Sequence, residues 1–193
     1  MVRRVVAPRG LTGVGACCLI IGGCAAGRMH LVPLHTNAIN NTEPLIASLQ
    51  IVDAYWWEDE NGHINIALRA KPEGLYFGTF WTTLTLGEPP AGSAREYRLG
   101  REGLSAAYTF GSLTHSRLRS LRGIAAIWPQ PDGTLRGRVR TWARRQSFTM
   151  LLGWRPAAQI LITAEFRARH DPTRGREMRE RAQPDAWPSP TRS

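Results

Sequence analysis

Cysteine and lysine are scarce in this sequence of 193 residues, and their scarcity limits its chemistry. The three cysteines, Cys17, Cys18 and Cys24, lie near the N-terminus, and Lys71 is the one lysine. Beyond residue 24 the sequence therefore excludes disulfides, thiol nucleophiles and cysteine-ligated metals. We expect that part of the chain to be stabilised by packing alone.

Signatures of catalysis and of cofactor binding are also absent. The sequence contains no G-x-S-x-G elbow, no phosphate-binding loop and no dinucleotide fingerprint. Five histidines are scattered without metal-ligand spacing, and the acidic stretch 58–61 does not match a calcium loop. We therefore predict no catalytic residue, no cofactor and no metal. A hydrolase stays open as the third interpretation, because paired carboxylates can come from separate strands.

An apolar run, Leu11 to Cys24, follows a leader that carries Arg3, Arg4 and Arg9. The run is shorter than the roughly 20 residues that a membrane-spanning helix needs. A basic leader, a short apolar run and a small-residue exit are typical of a secretory signal peptide. The alternatives are a secretory peptide cut elsewhere or a loose apolar helix.

The exit of this run, Ile21-Gly22-Gly23-Cys24, resembles the lipobox of bacterial lipoproteins. That resemblance implies removal of residues 1–23 and attachment of a diacylglycerol thioether to Cys24. It also implies delivery to the outer membrane, facing the periplasm of a Gram-negative host, because Ala25 rather than aspartate follows the cysteine. The partner implied is a membrane, reached through the lipid anchor.

Composition divides the rest of the chain into three parts. Residues 24–44 mix Asn, Thr and proline without a period and predict a flexible tether of about 25 Å, although 29–34 is apolar enough to dock. Residues 45–169 alternate between apolar and polar and predict the folded domain. Residues 170–193 are charged and proline-rich and predict a disordered tail, with room for a short helix near 174–181.

Short alternating runs separated by turn signals predict an all-β domain. Residues 49–57 and 63–69 flank Asn61-Gly62, a hairpin-turn sequence. Further strands are expected near 76–86, 95–99, 104–110, 122–128, 135–142, 147–154 and 158–168, whereas 113–122 fits a helix or a strand. Eight or nine such strands favour an antiparallel β-sandwich or a small barrel.

Three consecutive aromatic residues, Tyr55, Trp56 and Trp57, adjoin the acidic turn. Successive strand residues point to opposite faces, so one tryptophan would point away from a one-sided core. An exposed tryptophan beside carboxylates suits stacking on a sugar ring, which makes a glycan the ligand of this alternative. Burial of each tryptophan in a core is the simpler interpretation.

Positive charge is concentrated in the C-terminal half. The segment 103–193 has 16 arginines and six acidic residues, whereas 24–102 has six basic and nine acidic residues. Arg136, Arg138 and Arg140 recur at period 2, which predicts one outward face of a strand. In an envelope, such a face would meet anionic lipid or lipopolysaccharide rather than nucleic acid. The plain alternative is a solvated face that deters edge pairing.

These features together predict a lipid-anchored cell-envelope protein with a structural or interaction role and without catalysis. A carbohydrate-binding lipoprotein is the second interpretation.

Overall fold

A computed structural model describes residues 25–33, 48–73, 78–100, 103–110, 114–149 and 153–182. The proposed signal peptide and Cys24 lie outside these residues. The described chain contains nine strands and one helix. In chain order they are β1 Gly27–Pro33, β2 Ser48–Glu58, β3 Ile64–Pro72, β4 Thr79–Thr85, β5 Arg95–Leu99, β6 Leu104–Phe110, β7 Thr114–Pro129, β8 Leu135–Thr149, β9 Gly153–His170 and α1 Pro172–Ala182.

The strands close into an antiparallel barrel. Each strand pairs with the next along the chain, except that β4 pairs with β6 and leaves β5 as an extra strand on β7. The first strand, β1, pairs with β9 and completes a barrel of eight strands. The predicted all-β class is confirmed, and of the two architectures expected the chain adopts the barrel.

Alternating side chains fill the barrel interior. On β8 the buried residues Leu135, Val139 and Ala143 alternate with exposed residues. Gly137 occupies one interior position of the same strand because the Phe166 ring of β9 lies against it. A Cβ atom at Gly137 would stand 2.2 Å from Phe166 Cζ. The absent side chain thus makes room for an aromatic ring in the core.

A β-bulge changes the face assignment that simple alternation predicts for β2. The register with β3 shifts between Ile51 and Asp53. Leu49 and Ile51 therefore share the interior with Ala54 and Trp56, and not with Asp53, as a constant period of 2 predicts. An extra residue in one strand reverses the faces of all residues that follow it.

The segment 113–122, which fits either a helix or a strand, is a strand from Thr114 onward. A second bulge lies between Ser120 and Arg122, where Leu121 is the extra residue. This extra residue disturbs the period of 2 and explains why a helical period nearly fits. The expected strand 147–154 is wrong as a unit, because its two ends belong to β8 and β9.

Both ends of the described chain are more ordered than composition predicts. Residues 27–33 lie within the expected tether but form β1, whose Met29 and Leu31 are buried in the barrel. Residues 172–182 lie within the expected tail but form α1, in the region where a short helix was expected. Asp171 caps this helix by accepting a hydrogen bond from Arg174 N at 3.0 Å. Both segments are thus ordered because their apolar side chains are buried against the barrel.

Helix α1 packs on the outer face of β2, β3 and β4. Met178 contacts a small cluster that contains the buried Trp57 and Ala67. Gly175 permits this close approach, because a Cβ atom there would stand 2.4 Å from Trp57 Cε3. The helix therefore covers part of the barrel wall that would otherwise be apolar and exposed.

Candidate functional site

The strand β8 presents four of its five arginines to solvent. Arg136, Arg138 and Arg140 are exposed, and they alternate with the buried residues Gly137 and Val139. Burying three guanidinium groups would be very costly, whereas Leu, Val and Gly fit the core. The prediction that this face points outward is confirmed. What the face binds stays a prediction.

Neighbouring strands extend this face into a larger basic surface, which we call the arginine wall. It is the outward face of β5, β7 and β8, where Arg98 lies across from Ile124 and Ile124 lies across from Arg140. Its exposed arginines are Arg98, Arg119, Arg122, Arg136, Arg138, Arg140 and Arg144.

Little negative charge offsets the arginine wall. Glu165 on β9 forms an ion pair with Arg138 at 2.7 Å, and both side chains are largely exposed. Glu96 on β5 is the acidic side chain on the wall itself. In the described part of the chain, Arg98, Arg122, Arg136 and Arg140 form no ion pair. The surface therefore carries a net positive charge that attracts anions.

Two arginines of the wall oppose each other directly. Arg119 on β7 is the cross-strand partner of Arg144 on β8, and both are exposed. Like charges at opposing positions of an antiparallel pair destabilise the sheet. Folding alone does not require this arrangement, whereas a bound anion between the two guanidinium groups would relieve it.

Arg145 does not belong to the wall. It lies opposite Leu118, on the face that points into the barrel. Its Nη2 donates a hydrogen bond to Ser116 Oγ at 3.2 Å, and burial lowers the pKa of this guanidinium. Adjacent arginines in the sequence, Arg144 and Arg145, thus occupy opposite faces of β8.

The aromatic residues Tyr55, Trp56 and Trp57 do not form a common binding face. Trp57 is only 1% exposed because α1 covers it. Trp56 points into the end of the barrel, where its Nε1 donates to Gly133 O at 3.3 Å. Tyr55 points outward and accepts a hydrogen bond from Arg174 Nη1 at 3.0 Å. The sugar-stacking hypothesis therefore loses Trp57 as a platform.

The acidic hairpin between β2 and β3 has a structural role. Asp59 accepts hydrogen bonds from the backbone amides of Asn61 at 2.9 Å and His63 at 3.0 Å. These bonds, above all the one from His63, lower the pKa of Asp59. Among the described residues, no group of three or more His, Cys, Asp or Glu side chains is placed to hold a metal ion.

A shallow groove of about 460 Å³, lined by both polar and apolar residues, lies where the described chain begins. Its lining includes Ala25, Asp53, Asp132 and Arg167. Arg167 forms an ion pair with Asp132, and hydrogen bonds from Thr134 are the main cause of the lowered pKa of Asp132. Asp53 pairs instead with Arg69, which does not line the groove. Both carboxylates of the groove are thus already held by arginines.

The sequence does not reveal that Arg98 and Ile124 lie beside the arginines of β8. The sequence predicts a strand over 95–99, and in the structure Tyr97 and Leu99 of this strand are buried. It does not reveal that β5 passes over β6 in the strand order and pairs with β7. The arginine face of β8 is predictable from the sequence of that strand. The residues that surround it on β5 and β7 follow only from the order of the strands in the sheet.

The fold and the surface together define a closed eight-stranded antiparallel barrel with a basic outer wall. Comparison with protein-family models, with curated proteins and with solved structures finds no match to this chain. Within the described residues, no helix combines the length and the apolar character that crossing a membrane requires.

Proposed function

We propose that this chain is a lipid-anchored protein of the cell envelope whose barrel rests on an anionic membrane surface through the arginine wall. The role is one of interaction or structure, without catalysis. Two features support this proposal: the lipobox-like sequence that ends at Cys24, and the outward arginines of β8. The arginine wall is the observation that carries it, because a lipid anchor at the N-terminus would hold this surface close to lipid headgroups.

The expected strength of the contact follows from the number of charges. Each basic residue close to an anionic membrane surface contributes about 1 kcal/mol. Arg136, Arg138 and Arg140 together would contribute about 3 kcal/mol, which is a factor of about 100 in binding. Reversing their charge adds repulsion to this loss. The attraction is electrostatic, so added salt weakens it.

Co-sedimentation with lipid vesicles tests this proposal. The full chain carrying Cys24→Ser has no acyl anchor, and its binding to phosphatidylglycerol-containing vesicles is compared with its binding to phosphatidylcholine vesicles. We expect preferential binding to the anionic vesicles and release as salt rises. The combined change Arg136→Glu, Arg138→Glu and Arg140→Glu should abolish the preference.

A second triple variant controls for net charge. Lys71, Arg169 and Arg176 are exposed residues outside the arginine wall. Their combined replacement by glutamate changes the net charge by the same amount and should leave most of the preference intact. Equal losses in the two triple variants would contradict a specific role of β8.

A further inference from the structure

An exposed isoleucine lies within the arginine wall. Ile124 on β7 is 49% exposed, and its cross-strand partners are Arg98 on β5 and Arg140 on β8. Such partners have Cβ atoms about 5 Å apart. Arg122 lies two residues earlier on the same face of β7, about 6.6 Å along the strand. Three arginines therefore border one apolar side chain, and Glu96 is a diagonal neighbour.

Among the residues whose exposure the structure describes, one other large apolar side chain has comparable exposure, and its setting is different. Val32 on β1 is 50% exposed, and its cross-strand partner on β9 is Leu161. His30 is its neighbour on the same face of β1, and Leu161 pairs in turn with Trp142 on β8 rather than with an arginine. Apolar exposure alone is thus common to both residues, whereas the border of arginines belongs to Ile124.

Membrane interfaces favour this combination. Arginine side chains bind lipid phosphates with their guanidinium groups, and their aliphatic stems lie along apolar surface. An apolar side chain at the centre of such a border reaches the boundary between headgroups and acyl chains. A soluble polyanion would engage the arginines equally well but would leave Ile124 without an apolar partner. The isoleucine therefore favours a bilayer as the occupant.

We infer that Ile124 inserts into an anionic phospholipid bilayer while Arg98, Arg122 and Arg140 bind the surrounding phosphates. This inference rests on the proposed function and specifies it, because it sets which wall of the barrel faces the membrane. The outward faces of β5, β7 and β8 form the contact. The helix α1, on β2, β3 and β4, lies away from it.

A single fluorescent label tests the insertion. In the full chain with Cys17, Cys18 and Cys24 replaced by serine, Ile124→Cys or Val32→Cys carries a nitrobenzoxadiazole group. On phosphatidylglycerol-containing vesicles, the label at position 124 should shift its emission to shorter wavelength and brighten several-fold. Lipids with spin labels near the headgroup should quench it. The label at position 32 should show neither effect.

Uncharged variants test the same point without a label. Ile124→Ser should weaken binding to the anionic vesicles by about tenfold, because apolar burial is lost while every charge is kept. Val32→Ser should leave binding unchanged. Circular dichroism should show an intact barrel for both, since each side chain is half exposed.

The outcomes separate this inference from the proposed function. If the Arg136, Arg138 and Arg140 triple variant loses binding but Ile124→Ser does not, insertion is refuted and the electrostatic contact stands. If no variant affects binding, both are refuted. Binding to lipopolysaccharide micelles without any binding to phospholipid vesicles would also overturn the inference.

Discussion

Single aspartates organise two hairpin turns at the same end of the barrel. In the turn between β2 and β3, Gly62 has a φ of 73°, and the Asp59 carboxylate accepts bonds from two backbone amides and from Asn65. In the turn between β7 and β8, Gly133 has a φ of 76°, and the Asp132 carboxylate accepts a hydrogen bond from the Thr134 amide at 3.2 Å. The glycines supply the left-handed conformation, and the carboxylates satisfy amides that no strand partner reaches.

The pH dependence of stability should report the role of Asp59. Its pKa is lower in the folded chain than the ordinary value of 3.8, chiefly through the His63 amide. Folding is therefore stabilised by this group above that value, and the contribution is lost as pH falls through the lowered pKa. Asp59→Asn should reduce the urea midpoint at neutral pH, and the difference from wild type should shrink at strongly acidic pH.

Glu60→Gln is the matched control for this experiment. Glu60 lies in the same turn, is exposed, and accepts no hydrogen bond from the described residues. Its substitution should leave the pH dependence of the urea midpoint unchanged. If the urea midpoint of wild type and of Asp59→Asn fell by the same amount at acidic pH, Asp59 would not contribute to the pH dependence of stability.

At the scale of elements, the helix α1 depends on one small residue at its contact with the barrel. Gly175 lies against the Trp57 ring, and Arg181 lies over the Trp81 ring at 5.1 Å from its centroid. Pro172 occupies the first turn, where its missing amide costs nothing. Glycine within a helix is about 1 kcal/mol less favourable than alanine. The close packing against Trp57 explains why glycine nevertheless occupies position 175.

Gly175→Val should loosen the helix from the barrel. The added side chain would overlap the Trp57 ring, and overpacking of this kind costs about 1–3 kcal/mol. We expect a lower urea midpoint and a rise in tryptophan quenching by iodide as Trp57 becomes accessible. Arg176→Val introduces the same residue at an exposed position of α1 and should change neither quantity by much. Unchanged quenching in Gly175→Val would contradict the covering role of α1.

The elements were predictable from sequence where turn chemistry and alternation coincide. Asn61-Gly62 indicates the first hairpin, and residues 130–134 indicate the turn before β8. The bulges at Leu121 and between Ile51 and Asp53 were not predictable, because the extra residue is defined by the partner strand. The docking of β1 and α1 likewise depends on surfaces that distant segments build.

For the whole molecule, the position of the first barrel residue sets how closely a lipid on Cys24 would hold the barrel. The Ala26 amide already donates a hydrogen bond to Ile51 O at 2.8 Å. Cys24 is two residues away, a span of at most about 7 Å, whereas a flexible tether over 24–44 would reach about 25 Å. A lipid on Cys24 would therefore hold the barrel directly at the membrane surface.

Cys24→Ala should abolish labelling of the protein by a fatty-acid probe and should prevent the normal processing of the leader. The thiol of Cys24 is the acylation site that the lipobox resemblance implies. Cys17→Ala is the control, because Cys17 also follows small residues but has only a short apolar run before it. Labelling that persists in Cys24→Ala, or that disappears in Cys17→Ala, would contradict the assignment.

The closure of the barrel by β1 and β9 has a consequence for the order of events in folding. Gly27 pairs with Phe166, so the last seam joins segments from opposite ends of the chain. Hairpins such as β2–β3 and β7–β8 form locally, but this seam must wait until β9 exists. Long-range pairing of this kind gives folding times of milliseconds to seconds. Until β9 pairs with it, β1 has an unpaired edge. A chain that stops before Gly153 would also leave an edge of β8 unpaired. Unpaired strand edges favour association between copies of the chain.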